Sequence, residues 1–368
     1  MAKNYIILFI ALIATLFSCS ENNYINIEEA PEIEFSSLNT INREKYSFTN
    51  KVSKQNVSII NSVEKTGFHF YNSFKFKTED IGVLVGGTGL RARVTQDGGG
   101  SWQEFRFSKF ANTFHSVAFS GHTIFIVGES KYIFKSKDLG KNWSVYNSEF
   151  LFEDKNSLSK TDFYKIRFLD HKIGFIAGER NNKPVILKTN NGGKSWEIFN
   201  NSEALKNSEA ITDFHISSGE ELSIVTSRGE YFVTKNGGSN WELILKTVAL
   251  NSIAFKNANR GFVGGVNGTL LYTHNAGKNW NKIAVPENPN ITDITFTNKK
   301  ALITTSKSFS KNRAEFVYEI DENRKKVSPF LTKTDKDVLF IGDSYAIDAF
   351  ENNIFILDRN NLYKTSGK

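Results

Sequence analysis

The sequence predicts an all-β fold, a β-propeller of seven four-stranded blades, and three observations carry that expectation. A short turn motif recurs five times, and all 5 tryptophans of the 368-residue chain occupy the same slot in it. Alternating apolar segments of strand length precede and follow each copy, a repeat period that marks stacked supersecondary units. The composition is rich in residues that fit pleated surfaces, with 32 Phe and 12 Tyr against only 5 Pro.

The copies read Ser/Thr-x-Asp/Asn-x-Gly-x-x-Trp. They run from Thr95 through Asp97 to Trp102, from Ser136 through Asp138 to Trp143, and from Thr189 through Asn191 to Trp196. The last two run from Thr234 through Asn236 to Trp241 and from Thr273 through Asn275 to Trp280. The Asx carbonyl oxygen is expected to accept backbone N–H bonds two residues on, as in an Asx turn. The glycine tolerates positive φ, and the Trp covers the hairpin while still offering its N–H. A strand such as Ile253–Phe255 leads to a Gly-rich strand (Gly261 to Gly265), then Thr269–Tyr272, the motif, and a strand over 281–285. That is four strands per unit, the content of a propeller blade.

Two units lack the motif. Ile294–Phe296, Leu302–Ile303 and Phe316–Tyr318 mark a sixth blade. Ala346–Phe350, Ile354–Leu357 and Leu362–Thr365 mark a seventh that is short of one strand. Asn56–Asn61 is a spare strand, expected to close the ring and remove its open edge. Six or eight blades also fit the spacing.

These segments resemble the Asp-box, or bacterial neuraminidase repeat. The run Gly-Phe-x-x-Gly followed by Leu-x-Thr-x-Asn-Gly-Gly-x-x-Trp is similar to the photosystem II stability/assembly factor-like propeller family. The resemblance spans about Ser73 to Lys368 and is strongest from Thr95 to Trp280. It implies assistance in assembling a membrane complex, and no catalysis. Sialidases also carry Asp-boxes, but they resemble one another in an Arg-Ile-Pro element that this chain lacks. Arg91 and Arg93 stand in a different setting. A carbohydrate-binding or divergent sialidase-like propeller is the alternative reading.

Residues 1–18 read as a signal peptide. Lys3 precedes an uncharged apolar run, Tyr5 to Phe17, too short for the roughly 20 residues of a membrane span. Leu16-Phe17-Ser18-Cys19 resembles a bacterial lipobox, and Cys19 is the chain's only cysteine. The resemblance implies cleavage before Cys19 and lipid attachment to it, hence a lipid anchor in the bacterial envelope. The outer membrane is expected, on either side. Residues 19–50, acidic at first, read as a tether, and 51–368 as the propeller.

Little chemistry appears. Asp97 and Asp138 read as turn caps, and not as a catalytic pair. Gly86–Gly89 lacks the dinucleotide spacing, and the 6 His are scattered. No catalytic, cofactor or metal residues are assigned. The formal net charge of +7 points to partners. The fold that the resemblance implies puts the loops between second and third strands on the rim opposite the boxes, where Arg91, Lys131, Arg180, Lys183, Arg228, Lys311, Arg313 and Arg359 form an expected cationic face. Its expected partner is an acidic protein surface or an anionic envelope polymer, and not nucleic acid.

Overall fold

The computed structural model describes residues 33–34, 43–47, 51–52, 57–62, 71–86, 91–107, 113–153, 159–200, 203–306, 317–321, 323, 325–331, 344–358 and 361–366. They build seven antiparallel sheets, each a propeller blade. Blade 1 comprises Tyr71–Phe76, Gly82–Gly86, Arg91–Thr95 and Ser101–Arg106, from the inside outward. Blade 2 comprises Phe114–Ser120, Thr123–Gly128, Ser130–Ser136 and Ser144–Asn147. Blade 3 comprises Thr161–Phe168, Gly174–Arg180, Lys183–Thr189 and Glu197–Ile198. Blade 4 comprises Ile211–Ile216, Leu222–Thr226, Glu230–Thr234 and Glu242–Lys246. Blade 5 comprises Leu250–Phe255, Gly261–Gly265, Leu270–Thr273 and Asn281–Lys282. Blade 6 comprises Asn290–Phe296, Ala301–Ser306, Val317–Asp321 and Lys326–Leu331.

Blade 7 takes Ser344–Phe350, Asn353–Asp358 and Asn361–Ser366 from the C-terminal end and Val57–Ser62 from the N-terminal side. Leu362 faces Asn61 and Thr365 faces Val57 in that antiparallel pair. The spare strand closes the ring as expected, so the two ends of the chain are locked in one sheet. The inner strands lie side by side all the way round, with Ser344–Phe350 against Tyr71–Phe76 at the seam. The outer strand of blade 5 is shorter than the sequence suggested, ending at Lys282, although Ile283 and Val285 remain buried.

Two short strands from the stretch read as a tether, and one just after it, are built into the ring. Arg43–Ser47 adds a fifth strand to blade 1, with Tyr46 opposite Trp102. Ile33–Glu34 does the same on blade 2, and Lys51–Val52 on blade 7. The N-terminal side thus covers three outer edges, which would otherwise be open templates for strand pairing. Cys19 and the signal segment lie outside the described residues.

The Gly-Phe-x-x-Gly element has a steric cause. In blade 3, a Cβ on Gly174 would stand 2.5 Å from the ring of Phe168 on the inner strand. A Cβ on Gly178 would stand 2.0 Å from the Asp162 carbonyl, beside a one-residue bulge at Tyr164. The first glycine admits an aromatic ring and the second admits a bulged backbone.

Candidate functional site

Each Asp-box is a turn held by its own side chains. The leading Ser or Thr hydroxyl accepts the N–H of the box glycine in all five copies, at 2.8 to 3.1 Å. Asp97, Asp138, Asn191, Asn236 and Asn275 each accept, through Oδ1, the N–H four residues on, at 2.8 to 3.0 Å. The expected acceptance two residues on is corrected: that register belongs to the hydroxyl and the Asx N–H, as in Asp97 N–H to Thr95 Oγ1 at 3.4 Å. Burial works to raise the Asp97 and Asp138 carboxyls, but the hydrogen bonds from Ser101 and Asn142 outweigh it and hold both below the ordinary range. These carboxylates are spent on their turns.

The tryptophans sit at the joints between blades. Trp143 meets Phe105 and Phe107 of blade 1, with centroids 5.8 and 5.1 Å away. Trp196 meets Phe125 of blade 2, Trp241 meets Phe199 of blade 3, and Trp280 meets Tyr231 of blade 4. Trp102, Trp143 and Trp196 are each 1% exposed. The indole N–H groups of Trp143, Trp196, Trp241 and Trp280 find no acceptor among the described residues. These rings act by area and edge-to-face packing.

Two rims follow from recurrent backbone bonds. The box turn bonds to the turn between the first and second strands of its blade, as Gly192 N–H does to Lys172 O at 2.8 Å. The turn between the second and third strands instead bonds to the incoming connection, as Asn181 N–H does to Lys160 O at 2.9 Å.

The expected cationic face lies on this second rim, and most of its described members are already paired. Arg91 and Arg93 both reach Glu104, at 3.2 and 2.8 Å. Lys131 and Arg180 converge on Glu149, at 3.3 and 2.7 Å, and Arg180 also covers the Phe152 ring. Arg228 pairs with Glu209 at 3.5 Å. Lys183 is exposed. Lys311, Arg313 and Arg359 lie outside the described residues. Counting charges loop by loop missed the partners because Glu104, Glu149 and Glu209 sit on outer strands and blade connections.

The inner strands enclose a central channel of about 440 Å³, a feature the sequence reading did not assign. Its walls are stapled between blades. The bulged residues Asn72, Thr212 and Asn251 each donate to a backbone carbonyl of the next blade, at 2.7 to 2.8 Å. One position further on, Ser116, Asp213 and Asp293 accept N–H groups of the next blade from Ile166, Ile253 and Ile347, at 3.0 to 3.2 Å. In blades 1, 2, 4, 5 and 6 a small polar residue (Ser73, Ser116, Asp213, Ser252, Asp293) three positions before an apolar residue near the strand end was the available signal, and it reads like ordinary strand alternation.

Charge in the channel is organised around these staples. Arg167 binds Asp213 through two nitrogens, Nη1 to Oδ1 at 2.5 Å and Nη2 to Oδ2 at 3.2 Å, and donates to the Phe214 carbonyl. Burial works to raise Asp213, and the Arg167 charge overrides it and holds the carboxyl low. Burial raises Asp293. Lys75 pairs with Asp348 at 2.8 Å across the blade 1–blade 7 seam. Burial depresses His215 to about 4. Among the described residues no group of three or more His, Cys, Asp or Glu is placed to hold a metal ion, and no helix is long and apolar enough to cross a membrane.

Fold and boxes together define a seven-bladed Asp-box β-propeller. Residues 52–150 match the family model described as photosynthesis system II assembly factor YCF48. Among solved structures, "YCF48 bound to D1 peptide" is 19% identical with a TM-score of 0.62, covering 89% of this chain and 97% of that one. YCF48 from Cyanidioschyzon merolae is 19% identical with a TM-score of 0.63, covering 83% and 98%. The WD40 propeller domain of Doa1 is 10% identical with a TM-score of 0.61, covering 83% and 96%. At such identities the likeness speaks for the fold. No curated protein matches the chain.

Proposed function

We propose that this chain is a non-catalytic scaffold of the bacterial cell envelope, held at a membrane by lipid on Cys19, that binds a protein partner and assists assembly of a membrane complex. The observation that carries the reading is the match of residues 52–150 to an assembly-factor repeat, joined to a similar solved propeller described as peptide-bound. Asp97 and Asp138, the carboxylates a hydrolase reading would need, are engaged by backbone N–H groups of their own turns, which supports binding over hydrolysis. The lipobox-like end of the apolar run supports the anchor, and the exposed Lys183 supports an acidic partner surface.

The test is affinity capture of the tagged full chain from its native envelope, alongside Lys183→Glu/Arg228→Glu and Cys19→Ala. A membrane protein co-purifying with wild type, lost with Cys19→Ala and reduced with the charge reversal, is the expected result. Capture of no protein, together with retention of envelope glycans, would overturn the reading.

A further inference from the structure

The channel's acids and bases are not equivalent. Asp213 and Asp293 spend their oxygens on the wall. Asp213 accepts from Phe214 N–H at 2.8 Å, Ile253 N–H at 3.0 Å and the Arg167 guanidinium. Asp293 accepts from Ile294 N–H at 2.9 Å and Ile347 N–H at 3.1 Å. The Ser252 hydroxyl lies 3.3 Å from Asp213 and 3.1 Å from Asp293, and gives its proton to one of them. The Asp213 side chain is fully buried.

The bases face the lumen instead. The Lys75 side chain is 47% exposed and its partner Asp348 only 17%. A third of the Arg167 side chain is open to solvent while its partner is sealed in the wall. Lys165 lines the same cavity and makes no hydrogen bond or ion pair among the described residues. At the wall position held by Ser116, Asp213, Ser252 and Asp293 in other blades, blade 3 thus carries a donor where the staple needs an acceptor. With Asp213 and Asp293 held in the wall, the lining basic residues Lys75, Lys77, Lys165 and Arg167 outnumber the acids Asp293 and Asp348, which gives a positive lumen whose field low-dielectric walls focus.

We propose that the central channel is an anion site that takes carboxylate groups, with Lys165 and Lys75 as its principal contacts and Arg167 contributing charge from the wall. The carboxylates come either from a small polycarboxylate or from an acidic segment of a bound protein. Only the second source rests on the scaffold reading above. The site stands if envelope capture fails and the small anion still binds.

Isothermal titration of the full chain at low ionic strength tests this with two probes, citrate and an acetylated, amidated tetraglutamate peptide. Citrate binding at one site per chain is expected, weakened at least tenfold by Lys75→Met/Lys165→Met and by added salt. Ala254→Glu is a second variant. It places an acid in the lumen, removes no ion pair, and is expected to abolish binding with the melting temperature kept within a few degrees. Peptide binding with the same lysine dependence assigns the group to a partner's segment, and citrate binding alone assigns it to a small anion. No heat with either probe, or affinities unchanged in both variants, would overturn the proposal.

Discussion

Gly193 of blade 3 lies against Phe125 of blade 2, so close that a Cβ on the glycine would stand 2.4 Å from the ring. Gly140 meets the Phe105 ring and Gly277 the Tyr231 phenol in the same way, and Gly238 meets the Phe199 carbonyl and then its ring, each with the preceding blade. The box glycine therefore serves two ends at once. It takes positive φ, +74° at Gly193, and it leaves room for the neighbour's aromatic ring. An Asp-box is a clasp between blades as much as a turn within one.

Gly193→Ala should therefore destabilise by about 2–4 kcal/mol, combining a strained backbone with overpacking. Gly121→Ala is the control. Its φ is +57°, but nothing lies within 4 Å of the added Cβ, so only the backbone cost, about 1 kcal/mol, applies. Urea unfolding of both variants checks the difference. Equal losses would remove the clasp.

Trp196→Ala should cost about 3–5 kcal/mol, the range for deleting a large buried aromatic. Trp196→Phe should cost markedly less, because the indole N–H has no acceptor among the described residues and only ring area is lost. Thermal melts distinguish the two. A Phe variant as weak as the Ala variant would mean that the N–H is bonded after all.

Stability should fall as pH drops from 6.5 to 4 through two histidines. Burial lowers His115 and His215 from the ordinary 6.5 to about 4, so the unfolded chain binds more protons in that window. Their contribution is fully present above 6.5 and is lost on the way down to 4. Asp293, raised by burial, works the other way above its unfolded value of 3.8. Asp213 enters only lower, as pH falls through its depressed pKa. Chemical denaturation of His115→Gln/His215→Gln across pH 4 to 7 should give a flatter profile than wild type. A parallel profile would contradict this.

Removal of residues 1–62 should unfold blade 7 and with it the ring, since Val57–Ser62 is that blade's fourth strand. Removal of 1–50 takes away only the fifth strands on blades 1 and 2 and should leave a folded propeller of lower melting temperature. Circular dichroism melts of both truncations decide it.

Blade number, order and closure were legible in the sequence because they rest on local chemistry: a hydroxyl, an Asx and a glycine at fixed spacing, and a strand-length run left over at Asn56–Asn61. The binding surfaces were not. Glu104 is thirteen residues from Arg91, and Glu149 thirty-one from Arg180, so the neutralisation of the rim depends on strand pairing and blade packing. The channel was hidden for a similar reason. Lys75 comes to line one cavity with Lys165 and Arg167 only when the first and third blades join one ring, and the polar residues of the inner strands read like ordinary strand alternation.

The scaffold reading is tested most directly by the native mass of the chain extracted gently from its own membrane. A complex whose mass equals one lipid-modified chain plus a membrane-protein partner, in fixed stoichiometry, is the result expected. The free chain alone, at the mass of an unmodified polypeptide and with sialic acid released from added glycans, would contradict both the anchor and the binding role.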